Sequence, residues 1–593
     1  MSTYYLNDQN QFVIENYDKT KTFASFLPSV AGVDGIPMWV YYVNRGQAIS
    51  SFGVENKDQP ILDFVPANIA YRQTEITGFR TFIKRNGTVH EIFSSVSPDD
   101  VQRRMIIDTN VLTIEEVNHT LQLKVVVRYF TATHENYPGL IRKIEITNLS
   151  NQPVAIELLD GLPVLWPAGV DNYMIKNMAN LSVAWNDVIM ADEHLPFYCL
   201  RSTTEDTAVV GTVSVGHFYA TYDEHSRRLP IIYDADYVFA ENTSFLRPSY
   251  FERNNLKAIV SSRQVVANKL PCAFTAFDGT IDKKATFFTV VGRMPAIEAL
   301  LEKAKSFGSD YFISQEQKAF ALGEALKAPL ISRTAYPIFD AYLEQCFVDN
   351  LLRGGYPIVF KGKDQPIVYH VFSRIHGDME REYNYFVVEP TYYSQGNGNF
   401  RDVNQNRRND VYFVKEAGLF NIKQFMELIQ LDGYNPLTIK GSSFYFDQKA
   451  MDVVLKYVKT KPERVKELLQ NKFTPGKLLK ALEDEKVEYE LDKVSFLELI
   501  LSHSQQEFEA AYGTGYWIDH WTYNLDLIEN YLNVFPDDIE RLLFEERFRS
   551  FESPVSVLPR SDKYVLMEDG EVRQIDAIMK DEEKIKRLGL NPD

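Results

Sequence analysis

Two stretches of this sequence carry residues better suited to chemistry than to packing. The first is Glu389-Pro390-Thr391-Tyr392-Tyr393-Ser394-Gln395-Gly396-Asn397-Gly398-Asn399-Phe400-Arg401-Asp402-Val403-Asn404-Gln405-Asn406-Arg407-Arg408-Asn409-Asp410. Amides crowd it, with two glycines, three arginines and three carboxylates among them. One reading is a solvated surface loop, but such loops are normally built from Ser, Gly and Pro. Asn, Gln, Asp and Arg present paired donors or acceptors that match neighbouring hydroxyls of a sugar ring, and glycine allows close backbone approach. The glycines make no nucleotide loop, because G-x-x-x-x-G-K-[ST] is missing and their spacing fits no dinucleotide fingerprint.

The second stretch is Gly513-Thr514-Gly515-Tyr516-Trp517-Ile518-Asp519-His520-Trp521-Thr522-Tyr523-Asn524-Leu525-Asp526. Two of the chain's five tryptophans, Trp517 and Trp521, flank Asp519. A carboxyl beside indole rings loses water, which favours its proton-carrying form near neutral pH. A general acid for a glycosidic leaving group needs that property. The competing reading makes both tryptophans core residues and Asp519 the cap of a turn.

The elements that must position these segments fall into a β half and an α half. Leu121, Leu123, Val125, Val127 and Tyr129 alternate onto one face, and Ile144–Ile146 and Val154–Leu158 keep the same period around the turn Asn148-Leu149-Ser150-Asn151-Gln152-Pro153. That pattern predicts a hairpin, and similar short strands to about Val291 predict an antiparallel β-sandwich over residues 1–292. At Pro295 the period changes: Ile297, Leu300, Leu301 and Ala304 share a helical face up to Gly308. Ser314 with Gln317 signals a second helix ending near Pro329, giving a helical linker over residues 293–336. Residues 337–593 read as a helical domain, with helices over 338–352, 421–431, 447–458, 462–470, 496–511 and 524–533.

Composition excludes several classes. A chain of 593 residues exceeds one hydrophobic core, so two or more domains are expected. The formal charge of −18 repels phosphate backbones and anionic lipid, which leaves a neutral substrate as the better match. No basic-then-apolar leader opens the chain, and no apolar run is long enough to span a bilayer. Cys199, Cys272 and Cys346 have no metal-ligand spacing and read as free thiols of a reducing, cytoplasmic compartment.

Together the two segments resemble the inverting glycoside phosphorylases related to cellobiose phosphorylase, and the related β-1,3-oligoglucan phosphorylases. In those enzymes a β-sandwich, a helical linker and an (α/α)6 barrel follow one another, which implies that residues 337–593 form the first part of such a barrel. Phe400-Arg401-Asp402-Val403-Asn404-Gln405 matches the family segment that grips the donor glucose, and Trp517-Ile518-Asp519 matches the segment that ends in the general acid. The 118 residues between Arg401 and Asp519 are similar to the family's separation. The resemblance implies Arg401 and Asp402 as donor-sugar contacts, Trp517 as a sugar platform and Asp519 as the acid. Gln405, Tyr393 and Asn399 complete the candidate substrate contacts. Asn406, Tyr516 and Ile518 depart from the family pattern.

The implied reaction is phosphorolysis of a β-linked oligoglucan, β-1,3 favoured, with inorganic phosphate as co-substrate and no cofactor or metal. Phosphate is already anionic, so one protein carboxyl suffices. A hydrolase would need a second carboxylate about 6.5–9.5 Å away, for which Glu389, Asp402 and Asp410 are candidates. A glucan-binding protein without turnover is the third reading. The family's phosphate-binding His and Thr-Gly follow the acid, whereas here 74 residues follow Asp519, with no His or Thr beyond Thr522. The expectation is an N-terminal part of a longer or split enzyme, acting as a homodimer or with a partner polypeptide that completes the barrel.

Overall fold

The computed structural model describes residues 3–203, 208, 211, 213–375, 385–513 and 517–591, so Tyr516 lies outside the described residues. The chain divides into two compact units, Met1–Cys346 with Gly377–Thr391, and Phe347–His376 with Tyr392–Asp593.

In the first unit the alternating runs become strands, among them β1 (Leu123–Thr131), β2 (Gly139–Asn148), β3 (Val154–Leu162), β4 (Pro271–Ile281) and β5 (Lys284–Met294). A ten-stranded sheet holds β1, β2 and β5, and a five-stranded sheet holds β3 and β4. Val125, Val127, Ile144 and Ile146 of the larger sheet share one buried core with Ile156, Leu158, Ala273 and Ile281 of the smaller. Each of these Val, Ile and Leu side chains contributes about 1.5–3 kcal/mol on burial, so the period-2 pattern is what selects a sandwich.

The hairpin expected across Asn148–Pro153 is not formed. β2 pairs with β1 and β5, whereas β3 pairs with β4 and with the strand Arg80–Arg85. The turn therefore carries the chain from one sheet to the other. Alternation tells which face is buried but not which strand is the neighbour, and two strands facing one core satisfy it equally well from opposite sheets. Asn148 fixes the crossover: its amide donates to Gln152 O at 2.7 Å, Ile281 O at 3.2 Å and Asp282 O at 3.0 Å. The last two acceptors belong to the return crossover from β4 to β5.

A fully buried ion pair, Arg142 with Asp160, lies inside the sandwich. Arg142 bonds Asp160, and donates to Gln47 Oε1 at 2.6 Å, while Thr81 donates to Asp160 Oδ1 at 2.5 Å. Burial opposes the charge on Arg142, but Asp160 outweighs it and holds the guanidinium protonated more firmly than usual.

Helices α1 (Ile297–Ala304) and α2 (Ser309–Lys327) cover the sandwich through Leu300, Ala304, Phe312 and Ala319, which pack with Phe218, Phe288 and Val290. Ser314 and Gln317 lie inside α2 and do not start it. The cap comes from tertiary structure: Ser226 Oγ accepts the Ser309 N–H at 2.9 Å.

Helix α3 (Pro337–Gly354) leads into the second unit, whose elements include α4 (Phe400–Arg407), α5 (Phe420–Glu427), β6 (Thr438–Phe446), α6 (Pro462–Gln470), α7 (Lys493–Ser502), β7 (Ser504–Ala511) and α8 (His520–Val534). The helix expected over 496–511 is divided. Asp492 caps α7 by accepting from the N–H groups of Val494 and Ser495, and the chain then pairs as β7 with β6, Phe508 opposite Ser442. Ser504–Ala511 has ordinary helix propensity, and the cross-strand partner overrides it. Phe400, Val403, Phe425, Ile439, Leu527 and Tyr531 form the core that binds α4, α5, β6 and α8. Among the described residues no helix is long and apolar enough to cross a membrane.

Candidate active site

The polar segment divides: residues 389–397 form no helix or strand, whereas from Gly398 onward the chain is regular structure. Gly398–Asn399 pairs with β6, and α4 follows at once. Gly398 permits this contact, since a Cβ there would lie 2.3 Å from Val403 Cγ2. The three arginines divide their work. Arg407 points inward, donating from Nε to Gly354 O at 2.6 Å and from Nη1 to Gln424 Oε1 at 2.9 Å. Arg408 pairs with Asp526 of α8. Arg401 stays half exposed and approaches the second segment, its Nη1 3.9 Å from Asp519 Oδ2. That distance is an ion pair but not a direct hydrogen bond.

Asp402 sits beside this contact, its Oδ1 3.4 Å from Arg401 Nε and its Oδ2 accepting from Asn399 Nδ2 at 3.1 Å. It lies in the first turn of α4, where the helix dipole favours an acidic group. One guanidinium thus stands against two carboxylates. Gln405 lines a neighbouring polar cleft of about 230 Å³ with Asp402, Asn350, Arg353, Asn406 and Asn409. Tyr393 is placed elsewhere: it is buried against the Phe360 ring at 5.6 Å, with a left-handed φ of 46°.

Asp519 precedes α8, yet its side chain makes no capping hydrogen bond. Trp517 and Trp521 are 49% and 44% exposed, so neither is a core residue. The Asp519 side chain is itself 46% exposed, so the indoles do not take it out of water as the sequence leads one to expect.

His520 is the residue behind the turn. Its ring is buried and stacks on Phe400 with centroids 4.6 Å apart, and its Nδ1 lies 2.8 Å from Asn435 Oδ1. Burial pushes the imidazole down to about 4, with the charge of Arg401 adding to the shift and Asp519 and Asp402 opposing it. Sequence reading singled out neither His520 for this role nor Asn435. The only local signal was a Gly433-Tyr434-Asn435-Pro436 turn, ordinary in any loop.

Of the carboxylates considered as a second catalytic group, Asp410 is sequestered. His370 and Asn421 both hydrogen-bond its Oδ2, at 2.7 and 2.8 Å. Glu389 belongs to the other compact unit. Asp402 remains as the carboxylate beside Arg401.

No family model matches this chain, and no curated protein matches it. Among solved structures it is similar to a protein provisionally named a kojibiose phosphorylase, from the human microbiome, with 9% identity and a TM-score of 0.22 over 57% of this chain and 32% of that one. It is also similar to a bacterial glucoamylase complexed with acarbose, with 10% identity and a TM-score of 0.33 over 78% of this chain and 57% of that one. Both neighbours are carbohydrate-active enzymes by name, and this chain spans about a third of one and just over half of the other. Likenesses this low carry no inference about substrate or residues.

Proposed function

We propose that this chain is a carbohydrate-active enzyme that cleaves β-glucosidic bonds of oligoglucans by inverting phosphorolysis, with Asp519 as general acid. The observation that supports the reading most is the approach of Arg401 to Asp519, which joins two sugar-suited segments far apart in sequence. A glucan laid across Trp517 and Trp521 would exclude water from Asp519, and such exclusion favours a carboxyl that carries its proton. Arg401 and Asp402 would bind hydroxyls of the donor glucose. A phosphate oxygen then attacks the anomeric carbon as the bond to the leaving oxygen breaks, and Asp519 gives its proton to that oxygen. The products are α-glucose 1-phosphate and a glucan one unit shorter.

Hydrolysis is the second reading, favoured by one observation: Asp402 and Asp519 face the same guanidinium, so a second carboxylate stands in the site. Incubation with β-1,3-, β-1,4- and β-1,2-linked oligoglucans, with and without inorganic phosphate, separates the two. Phosphate-dependent release of glucose 1-phosphate is the expected result. Reducing sugar released equally without phosphate would replace phosphorolysis by hydrolysis, and no product from any linkage would remove the enzymatic reading.

A further inference from the structure

We infer that Asn435 is the positioning residue of the candidate acid, pinning the turn that carries Asp519 at both of its ends; this rests on the general-acid reading above. Asn435 is buried in the segment before β6. Its Nδ2 donates to Trp517 O at 3.2 Å and to Gly433 O at 3.1 Å. Those two carbonyl acceptors orient the amide, so the oxygen that faces His520 Nδ1 at 2.8 Å is Oδ1. The imidazole must then carry its proton on Nδ1 and keep its lone pair on Nε2. One amide therefore holds the residue two before Asp519 and the residue directly after it.

The aromatic rings tighten the same arrangement. His520 lies against Phe400 on one side, and its centroid is 6.5 Å from that of Trp517 at an interplanar angle of 28°. Asp519 has no capping bond of its own, so the backbone on either side of it and the distant Arg401 are what aim its carboxylate. A buried amide is costly unless every polar atom is used, and here both polar atoms of Asn435 are spent on this turn and its own loop. A leucine of similar size would pack there with no polar requirement. The charged groups acting on His520 are Asp519, Arg401 and Asp402.

Two substitutions separate the bonds. Asn435→Leu removes both contacts; Asn435→Asp keeps an oxygen for His520 but loses the donor to Trp517. With oligoglucan and phosphate, Asn435→Leu should lower kcat by about 10–100-fold, the scale for a displaced catalytic group, with KM changed less than about threefold. Asn435→Asp should lower kcat less and raise the His520 titration, moving the acid limb of the pH profile with it. Folded variants, checked by near-ultraviolet circular dichroism, that keep the parent kcat and pH profile would overturn the inference, as would a loss confined to KM. Nitrogen-15 NMR of His520 supplies a readout independent of turnover. If the parent protein proves inactive, the general-acid reading fails, and an Nδ1–H tautomer in the parent that is lost in Asn435→Leu still upholds the pinning. A tautomer unchanged by that substitution would overturn it.

Discussion

His370 Nε2–H donates to Asp410 Oδ2 across 2.7 Å in the interior of the second unit, and Asn421 Nδ2 reaches the same oxygen at 2.8 Å. Burial and the nearby charge of Arg407 push this imidazole down to about 4, against the pull of Asp410. His370 is thus a neutral donor at physiological pH. Asn421 belongs to α5 and also donates to Arg407 O at 3.1 Å, so this polar cluster ties α5 to the end of α4.

Acid should weaken the fold through such histidines. His217, His370 and His520 are all pushed down by burial, to about 3, 4 and 4. In the unfolded chain each binds a proton near pH 6.5, whereas in the folded chain each resists until about pH 4 or below. Their contribution is full above about pH 6.5 and is lost as pH falls toward 4, by up to about 3 kcal/mol per histidine. Urea unfolding between pH 7.5 and 4.5 should show this decline, and His370→Gln should flatten it for the second unit. Stability independent of pH over that range would contradict the neutral imidazoles.

Asp519→Asn preserves shape and removes the acidic proton. Turnover of oligoglucans should fall about 10²–10⁴-fold, with glucan affinity by calorimetry within about threefold. An aryl β-glucoside whose leaving group needs no proton should lose far less. Equal losses on both substrates would argue for a structural role.

Arg401→Ala should weaken oligoglucan binding about 10–100-fold, the scale of one or two charge-assisted hydrogen bonds. Because Arg401 also helps keep His520 neutral, the same change should raise the His520 titration. An unchanged affinity and an unchanged titration together would place Arg401 outside the site.

In the sandwich, Arg142→Ala leaves Asp160 charged, buried and without its main partner. That should cost about 3–5 kcal/mol and lower the melting temperature of the first unit. A loss under about 1 kcal/mol would mean that Asp160 finds water or a proton in place of Arg142.

The sequence made burial legible more readily than partnership. Alternation at Val125, Val127, Ile144 and Ile146 located the core face, and the helix expected over 462–470 is α6 at its observed bounds, with Val465 and Leu469 buried. What failed depended on distant groups. The cap of α2 is Ser226, 83 residues away, and the strand β7 exists because β6 lies beside it. The site shows the same division. Arg401, Asp402 and Asp519 are put forward by residue type and by the family resemblance, and in the structure Arg401 lies 3.9 Å from Asp519. Asn435, which bonds the turn of Asp519 at Trp517 and His520, is one more asparagine in a Gly/Pro loop until His520 is seen against it.

The crossover at Asn148 also governs the order of events during folding. Had Asn148–Pro153 closed a hairpin, β2 and β3 would have found each other within microseconds. Instead Val154 must wait for Ile281, and Gly139 for Gly292. At roughly 5–20 residues per second, a ribosome takes on the order of ten seconds to deliver those partners. Through that interval β2 and β3 each lack one of their two neighbours, so the nascent chain is most exposed to aggregation just before the strand ending at Met294 emerges.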